Sequence, residues 1–376
     1  MERSTFEHLH PDTATYRIFI EGTVQGVGFR PFIYQLAIRY GLCGTVLNDV
    51  QGVEIFINTT PETLHMFLDS VSAELPPLAC IENIQTKKTA PKQFTGFQIV
   101  SSGSNGRKTV RIPPDVSICS ECEAELFDPS NRRYGYPFIT CTHCGVRYSI
   151  IYDLPYDRKN TSMKFFEMCE ACKKEYSDPL DRRYHAQPIG CHECGPSLQL
   201  LDGTGRDIST RAAVDDAVRF LLDGKILAVK GVGGYHLVCD ATDEEAVARL
   251  RERKRRPAKP FAVMIKDMKA AKELVHIGKK EEMLLSSKER PIVLLNSICN
   301  DVLAASVAPG ISRIGLFLPY TPLHLLLLHK LGRPIVATSA NVTDEPICTD
   351  MKSLKKLQGV YDYVLEHNRE IVNGCD

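Results

Sequence analysis

The apolar positions change period several times along the chain. "TYRIFIEG" alternates as a half-buried strand does, and "PFIYQLAIRYG" then places Phe32, Ile33, Leu36, Ala37 and Tyr40 on one helical face that ends at Gly41. "CGTVLNDVQGVEIFIN" offers two β-rich runs around "NDVQG", "PETLHMFLDSVSAEL" reads as an amphipathic helix, and "IENIQTKKTA" leads to a last short strand, "GFQIV". The order βαββαβ predicts a split-βαβ, ferredoxin-like sandwich over residues 13–100. A small polar linker, 101–115, contains "SSGSNGRK". From 199 to 376 the pattern is again mixed α/β. Helices are expected at "TRAAVDDAVRFLLDG", "DEEAVARLRERK" and "MKAAKELVHIG", and strands at "KILAVKG", "FAVMIK" and "PIVATSA".

Residues 116–198 have little apolar periodicity and instead repeat themselves. "CSECEAELFDPSNRRYGYPFITCTHCG" aligns with "CEACKKEYSDPLDRRYHAQPIGCHECG" at a period of 50 residues, from Cys119 to Cys169. Each copy has the form C-x2-C-x18-C-x2-C. The two ligand sets are Cys119, Cys122, Cys141, Cys144 and Cys169, Cys172, Cys191, Cys194. Two thiolate knuckles closing a loop suit tetrahedral zinc, and a site with four protein ligands is structural because no coordination position stays open. Iron-sulfur clusters and disulfides are the alternatives, as is ligation interleaved between repeats, with His143 and His192 as competing ligands. The repeated Arg132-Arg133-Tyr134 and Arg182-Arg183-Tyr184 either shape their loops beside Asp-Pro or form a basic aromatic surface.

Composition narrows the class. Lys and Arg number 46, as do Asp and Glu, so net charge gives no reason to expect nucleic acid as a partner. No apolar run approaches the ~20 residues of a spanning helix, and "MERSTFEHLHPDTATY" lacks a signal-peptide core, which predicts a cytoplasmic protein with no membrane partner. Eight of 14 cysteines fall in the four C-x-x-C pairs; the rest (Cys43, Cys80, Cys239, Cys299, Cys348, Cys375) read as scattered small hydrophobes.

The loop "GTVQGVGFRP" joins the first strand to the first helix. Gly26 and Gly28 let backbone amides turn inward, Pro31 suits the first helical position, and Arg30 adds a guanidinium fork, so the loop and helix N-terminus form a nest for an anion. The stretch resembles the acylphosphatase signature G-x-V-Q-G-V-G-F-R, and "GTVLNDVQGVE" resembles that family's second motif, with Asn48. The resemblance implies acyl-phosphate hydrolysis. Gln25, Gly26, Val27, Gly28, Phe29 and Arg30 would hold the phosphoryl group, and Asn48 would position the attacking water, with Arg30 and Asn48 as the catalytic pair.

In the last domain "RERKRRPAKPFAVM" packs basic residues before a strand, and Pro257 and Pro260 set them at a helix-to-strand turn. With "VKGVGGYHLVCDAT", "RIGLFLPYTPLHLLLL" and "TSANVTDEP", this segment resembles the YrdC family, which binds ATP and forms carbamoyl-type adenylates. The matching positions are Lys254, Arg256, Lys259, Ser339 and Asn341, with Lys230, Tyr235, His236 and Arg313 added by position. His236 has a bland reading as a strand-turn residue, and "PLHLLLLHKLG", with His324 and His329, reads as a buried helix.

The order acylphosphatase-like domain, tandem zinc ribbons, YrdC-like domain resembles the N-terminal half of the HypF family of hydrogenase-maturation carbamoyltransferases. That resemblance implies carbamoyl phosphate, ATP with Mg2+ and two structural Zn2+ ions. It also implies a HypE-like acceptor whose C-terminal cysteine takes the carbamoyl group. The family's further C-terminal domain has no counterpart before "NGCD", so final transfer is not expected of these residues alone. Two other readings remain: a tRNA-binding zinc protein of the YrdC type, and an acylphosphatase with accessory domains.

Overall fold

The computed structural model describes residues 12–102, 111–210, 212–298, 302–342 and 344–375. Cys299 and most of the expected linker lie outside them.

Residues near the N-terminus form β1 (Ala14–Thr23), α1 (Phe29–Arg39), β2 (Cys43–Asp49), β3 (Gly52–Thr59), α2 (Pro61–Ala73), β4 (Cys80–Lys88) and β5 (Phe97–Ile99). The sheet order is β4-β1-β3-β2-β5, antiparallel except where β5 joins β2. Alternation sends Ile18, Ile20, Val46, Ile55 and Ile57 onto the face covered by Ile33 and Leu36 of α1 and Phe67 and Val71 of α2. The ferredoxin-like sandwich is therefore present, with a correction. Its fourth strand is β4, beside β1, and "GFQIV" supplies only the small added strand β5. β4 is an edge strand whose side chains are mostly exposed, which removes the alternation that would reveal it. Gly22 sits at a bulge in β1 with φ 129°, where a Cβ would lie 2.2 Å from the Cys80 carbonyl oxygen, so the first glycine of the motif keeps β4 paired.

In the middle, α3 (Ser120–Phe127) starts directly after Cys119, and α4 (Glu170–Ser177) directly after Cys169. Their apolar cores are small and built around the cysteines. Ile118, Leu126 and Cys122 pack with Leu325 and Leu326 of the C-terminal region, and Ile189 and Ala186 pack with Cys172.

The remaining elements are β6 (Leu198–Asp202), α5 (Ala213–Leu222), β7 (Leu227–Lys230), β8 (Tyr235–Asp240), α6 (Glu244–Arg253), β9 (Ala262–Met264), α7 (Met268–Leu274), α8 (Lys279–Ser286), β10 (Val293–Asn296), β11 (Arg313–Phe317), α9 (Pro322–Leu331), β12 (Ile335–Ser339), α10 (Met351–Leu354) and β13 (Tyr363–His367). They form an eight-stranded mixed sheet in the order β10-β11-β9-β12-β8-β7-β13-β6. Leu221 of α5 and Leu327 and Leu328 of α9 cover one face, while Leu250 of α6 and Ala271 of α7 cover the other. The Asp243 side chain caps α6 by accepting from Ala246 N at 3.0 Å, and Arg251 and Arg253 complement its C-terminal end. Among the described residues no helix is long and apolar enough to cross a membrane.

Candidate active sites and metal centres

Gly26 and Gly28 have φ of 70° and 76°, and Gly28 is the N-cap of α1. The helix thus begins at Phe29, and Pro31 occupies its third position rather than its first. That still lies in the opening turn, where a missing N–H costs nothing. Arg30 is buried, and its Nη2 lies 2.9 Å from Asp157 Oδ1. Asn48 ends the apolar face of β2. It is 1% exposed, and neither polar atom of its amide has a hydrogen-bond partner among the described residues. Such a group is costly to bury unless something binds it. Both residues line one small cavity of about 30 Å³.

Gln25 lines the same cavity, but its side chain is already committed. Nε2 donates to the carbonyls of Asp49 (2.6 Å) and Gly52 (2.8 Å), and Oε1 accepts from Tyr156 N at 3.0 Å. The side chains of Val27 and Phe29 belong to the apolar core; Phe29 lines the cavity and Val27 does not. Much of the remaining lining comes from the 116–198 region, including Thr142, Arg147, Tyr156, His185 and Gln187, none of them anticipated from sequence. Arg147 donates to the carbonyls of Gly26 (2.8 Å), Thr142 (2.7 Å) and Gly145 (2.9 Å), tying the glycine loop to the first repeat's second knuckle. A Cβ on Gly26 would stand 3.2 Å from the Tyr156 ring.

Each repeat gathers its own four cysteines, so the sets are sequential and not interleaved, and neither His143 nor His192 belongs to them. In the first set the sulfurs of Cys119 and Cys141, of Cys141 and Cys144, and of Cys122 and Cys144 lie 3.7, 3.7 and 3.6 Å apart. In the second, Cys169 to Cys191 and Cys191 to Cys194 are 3.8 and 3.7 Å. A zinc tetrahedron with Zn–S near 2.3 Å has an edge of about 3.8 Å, so the thiolates fit the ion.

The Arg-Arg pairs work inside the repeats and not as an open basic surface. Arg132 of the first repeat reaches the second set, 3.2 Å from Cys191 Sγ and 3.5 Å from Cys169 Sγ. Arg182 of the second repeat reaches the first set, 3.0 Å from Cys122 Sγ and 3.3 Å from Cys119 Sγ. Arg133 and Arg183 are 1% and 4% exposed, and pair with Glu175 and Glu125. Of the two tyrosines, Tyr134 is exposed and Tyr184 buried.

A cavity of about 520 Å³ opens on the large sheet, lined by His236, Arg256, Tyr320, Thr338 and Ser339. Lys254 stands beside it. Its Nζ donates to the Ser339 carbonyl at 2.6 Å and to Asn341 Oδ1 at 3.2 Å, and Ser339 Oγ donates to the same Oδ1 at 2.9 Å. The helix-to-strand turn and the "TSAN" strand end therefore meet. The other expected positions do not line this cavity. Lys230 is buried, 2.7 Å from Glu366 Oε1 and 3.0 Å from the His367 carbonyl, and the Tyr235 hydroxyl also donates to Glu366. Lys259 is exposed, and its carbonyl accepts from Arg256 Nε at 3.0 Å. Arg313 begins β11, four residues from the lining Phe317. Sequence reasoning missed Asp115, Ser117, Lys288 and Arg290, which line the cavity from distant segments.

The fold and these sites define a composite protein: an acylphosphatase-type unit roofed by a pair of four-thiolate metal repeats, which in turn dock on a YrdC-type α/β sheet. Family profiles match in the same order. They are acylphosphatase over residues 16–99, HypF finger over 118–151 and 168–201, and telomere recombination (Sua5/YciO/YrdC) over 219–376. The carbamoyltransferase HypF of Synechocystis sp. is 50% identical over 367 residues, 96% of this chain and 47% of its own length. That of Rhodobacter capsulatus is 45% identical over 363 residues, covering 96% and 48%. A crystal structure of full-length HypF in a phosphate- and nucleotide-bound form superposes with TM-score 0.93 at 44% identity, covering 98% of this chain and 48% of that one.

The chain belongs to the HypF carbamoyltransferase family. It spans about half the length of the curated relatives it matches.

Proposed function

We propose that this chain carries two linked reactions: hydrolysis of carbamoyl phosphate to carbamate and phosphate, then attack of carbamate on ATP to give carbamoyl adenylate and pyrophosphate. The observation that carries the first is the buried Asn48 amide, unpartnered among the described residues, in the cavity that also holds Arg30. Arg30 and the amides of the glycine loop would neutralise charge on the phosphoryl oxygens, and the Asn48 amide would orient water for in-line attack. Phosphoryl transfer needs little more from a protein than such positioning.

Support for the second reaction lies in the meeting of Lys254, Ser339 and Asn341 beside a cavity that Arg256 and His236 line. Lys254 and Arg256 would hold the triphosphate with Mg2+, leaving the α-phosphorus open to the carbamate oxygen. Two structural zinc ions would hold the intervening repeats. The adenylate would then supply a HypE-like acceptor, whose C-terminal cysteine takes the carbamoyl group.

Phosphate release from carbamoyl phosphate, followed without ATP, tests the first site. Wild-type turnover with loss in both Arg30→Ala and Asn48→Ala is expected; undiminished release in Asn48→Ala would remove the proposed role of that amide.

A further inference from the structure

The two metal repeats differ at many positions, and one short stretch of differences lies against the cavity that holds Arg30. Where the first has Gly135, Tyr136 and Pro137, the second has His185, Ala186 and Gln187. Gly135 adopts φ 66°, the left-handed conformation that glycine takes without strain. His185 is held in the same conformation, at φ 54°, with a side chain that conformation disfavours. All three residues of the second repeat line the acyl-phosphate cavity, and Ala186 stands where the first repeat puts a buried tyrosine ring. The duplicated fold therefore accepts glycine at this position, and the copy facing the cavity carries a strained histidine instead. Strain of this kind persists where the side chain serves a site.

We propose that His185 selects the acyl group of the bound acyl phosphate by accepting a hydrogen bond from its carbamoyl nitrogen. This rests on the reading of the cavity as a carbamoyl phosphate site. The other polar groups of the roof are occupied. Asp157 accepts from Arg30 and Ser102. Gln187 Oε1 accepts from Arg158 N at 2.7 Å and the Tyr176 hydroxyl at 3.1 Å, and its Nε2 donates to the His185 carbonyl at 2.8 Å. The His185 ring packs between Tyr176, tilted at 45° with centroids 4.9 Å apart, and Tyr184, edge-to-face at 4.6 Å, and its nitrogens bond to no protein group among the described residues. Burial, and then the charge of Arg30, lower its pKa to about 4, so a neutral ring offers a lone pair at neutral pH.

Acetyl and carbamoyl phosphate are nearly the same size and differ in a methyl against an amino group. A small cavity cannot separate them by shape, but an acceptor aimed at the substituent can, because the methyl leaves it unpaired.

The test compares phosphate release from carbamoyl and acetyl phosphate by the full chain in wild type, His185→Gly and His185→Asn. Glycine restores the residue of the first repeat and relaxes the backbone, so the fold is retained, which a thermal melt checks. Asparagine tolerates the left-handed backbone and keeps an acceptor. The expected result is a carbamoyl-to-acetyl ratio of kcat/KM that falls about tenfold in His185→Gly, the worth of one hydrogen bond. Partial recovery is expected in His185→Asn. A ratio unchanged in His185→Gly overturns the assignment while leaving the hydrolytic reading intact. Turnover of neither acyl phosphate by wild type overturns that reading and the assignment with it.

Discussion

Replacing Arg182 by Met should weaken the metal site of the other repeat. Arg182 Nη2 stands 3.0 Å from Cys122 Sγ and 3.3 Å from Cys119 Sγ, whereas its own repeat contributes Cys169, Cys172, Cys191 and Cys194 to the second site. Four thiolates around one Zn2+ leave two net negative charges, and a guanidinium within hydrogen-bond reach is worth roughly 1.5–3 kcal/mol as a charge-assisted bond. Glu125, the other partner of Arg182, keeps Arg183, so no carboxylate is orphaned. The loss should thus be about 2 kcal/mol of metal affinity, or roughly thirtyfold at 1.4 kcal/mol per decade. Competition with a chromophoric zinc chelator measures the affinity, and mass-spectrometric mapping of cysteine alkylation assigns the loss to a site. Arg182→Met should expose Cys119, Cys122, Cys141 and Cys144 first, and Arg132→Met the second set first. Alkylation that starts within the repeat carrying the substitution, or affinity unchanged in both variants, would refute the cross-repeat pairing.

Gly26→Ala places a side chain at φ 70° and 3.2 Å from the Tyr156 ring, so it should cost about 1–3 kcal/mol in a denaturant midpoint and abolish carbamoyl phosphate hydrolysis. Unchanged turnover would show that the loop conformation does not matter. Stability should fall with pH between about 6.5 and 5. Burial and the charge of Arg30 hold His185 near 4, burial and His236 hold His324 near 3, and burial with Arg369 and Lys230 holds His367 well below the usual value. Across that window the unfolded chain binds protons the folded chain refuses, at about 1.4 kcal/mol per pH unit for each histidine. Urea midpoints at pH 7, 6 and 5 check the slope, and His324→Leu should flatten it by about a third; a flat wild-type profile would contradict it.

How much could be read from sequence follows the range of each interaction. The glycine loop was legible because its backbone conformations are local and only glycine takes them freely, and the ligand sets because knuckle spacing is local too. β4 was not, since an exposed edge strand has no apolar face to betray it. The roof of the cavity around Arg30 arises from contacts such as Arg30 with Asp157, 127 residues apart, which no local pattern encodes. Lys230 and Tyr235 are instead tied to Glu366 of β13, which neighbours Lys230's strand β7 and lies two strands from Tyr235's β8, a juxtaposition fixed by strand order. The exchange of Arg132 and Arg182 between metal sites also depends on how the two repeats pack. One signal did lie in the sequence: the aligned repeats set His185 against Gly135, and a residue that replaces an αL glycine in one copy only marks a side chain to examine.

The central claim is that two reactions are linked, the product of the Arg30 site feeding the Lys254 cavity. Exchange of labelled pyrophosphate into ATP, with and without carbamoyl phosphate, tests this most directly in wild type, Arg30→Ala and Lys254→Ala. Exchange that requires carbamoyl phosphate and is lost in both variants is the predicted result. Exchange that persists undiminished in Arg30→Ala would contradict the account.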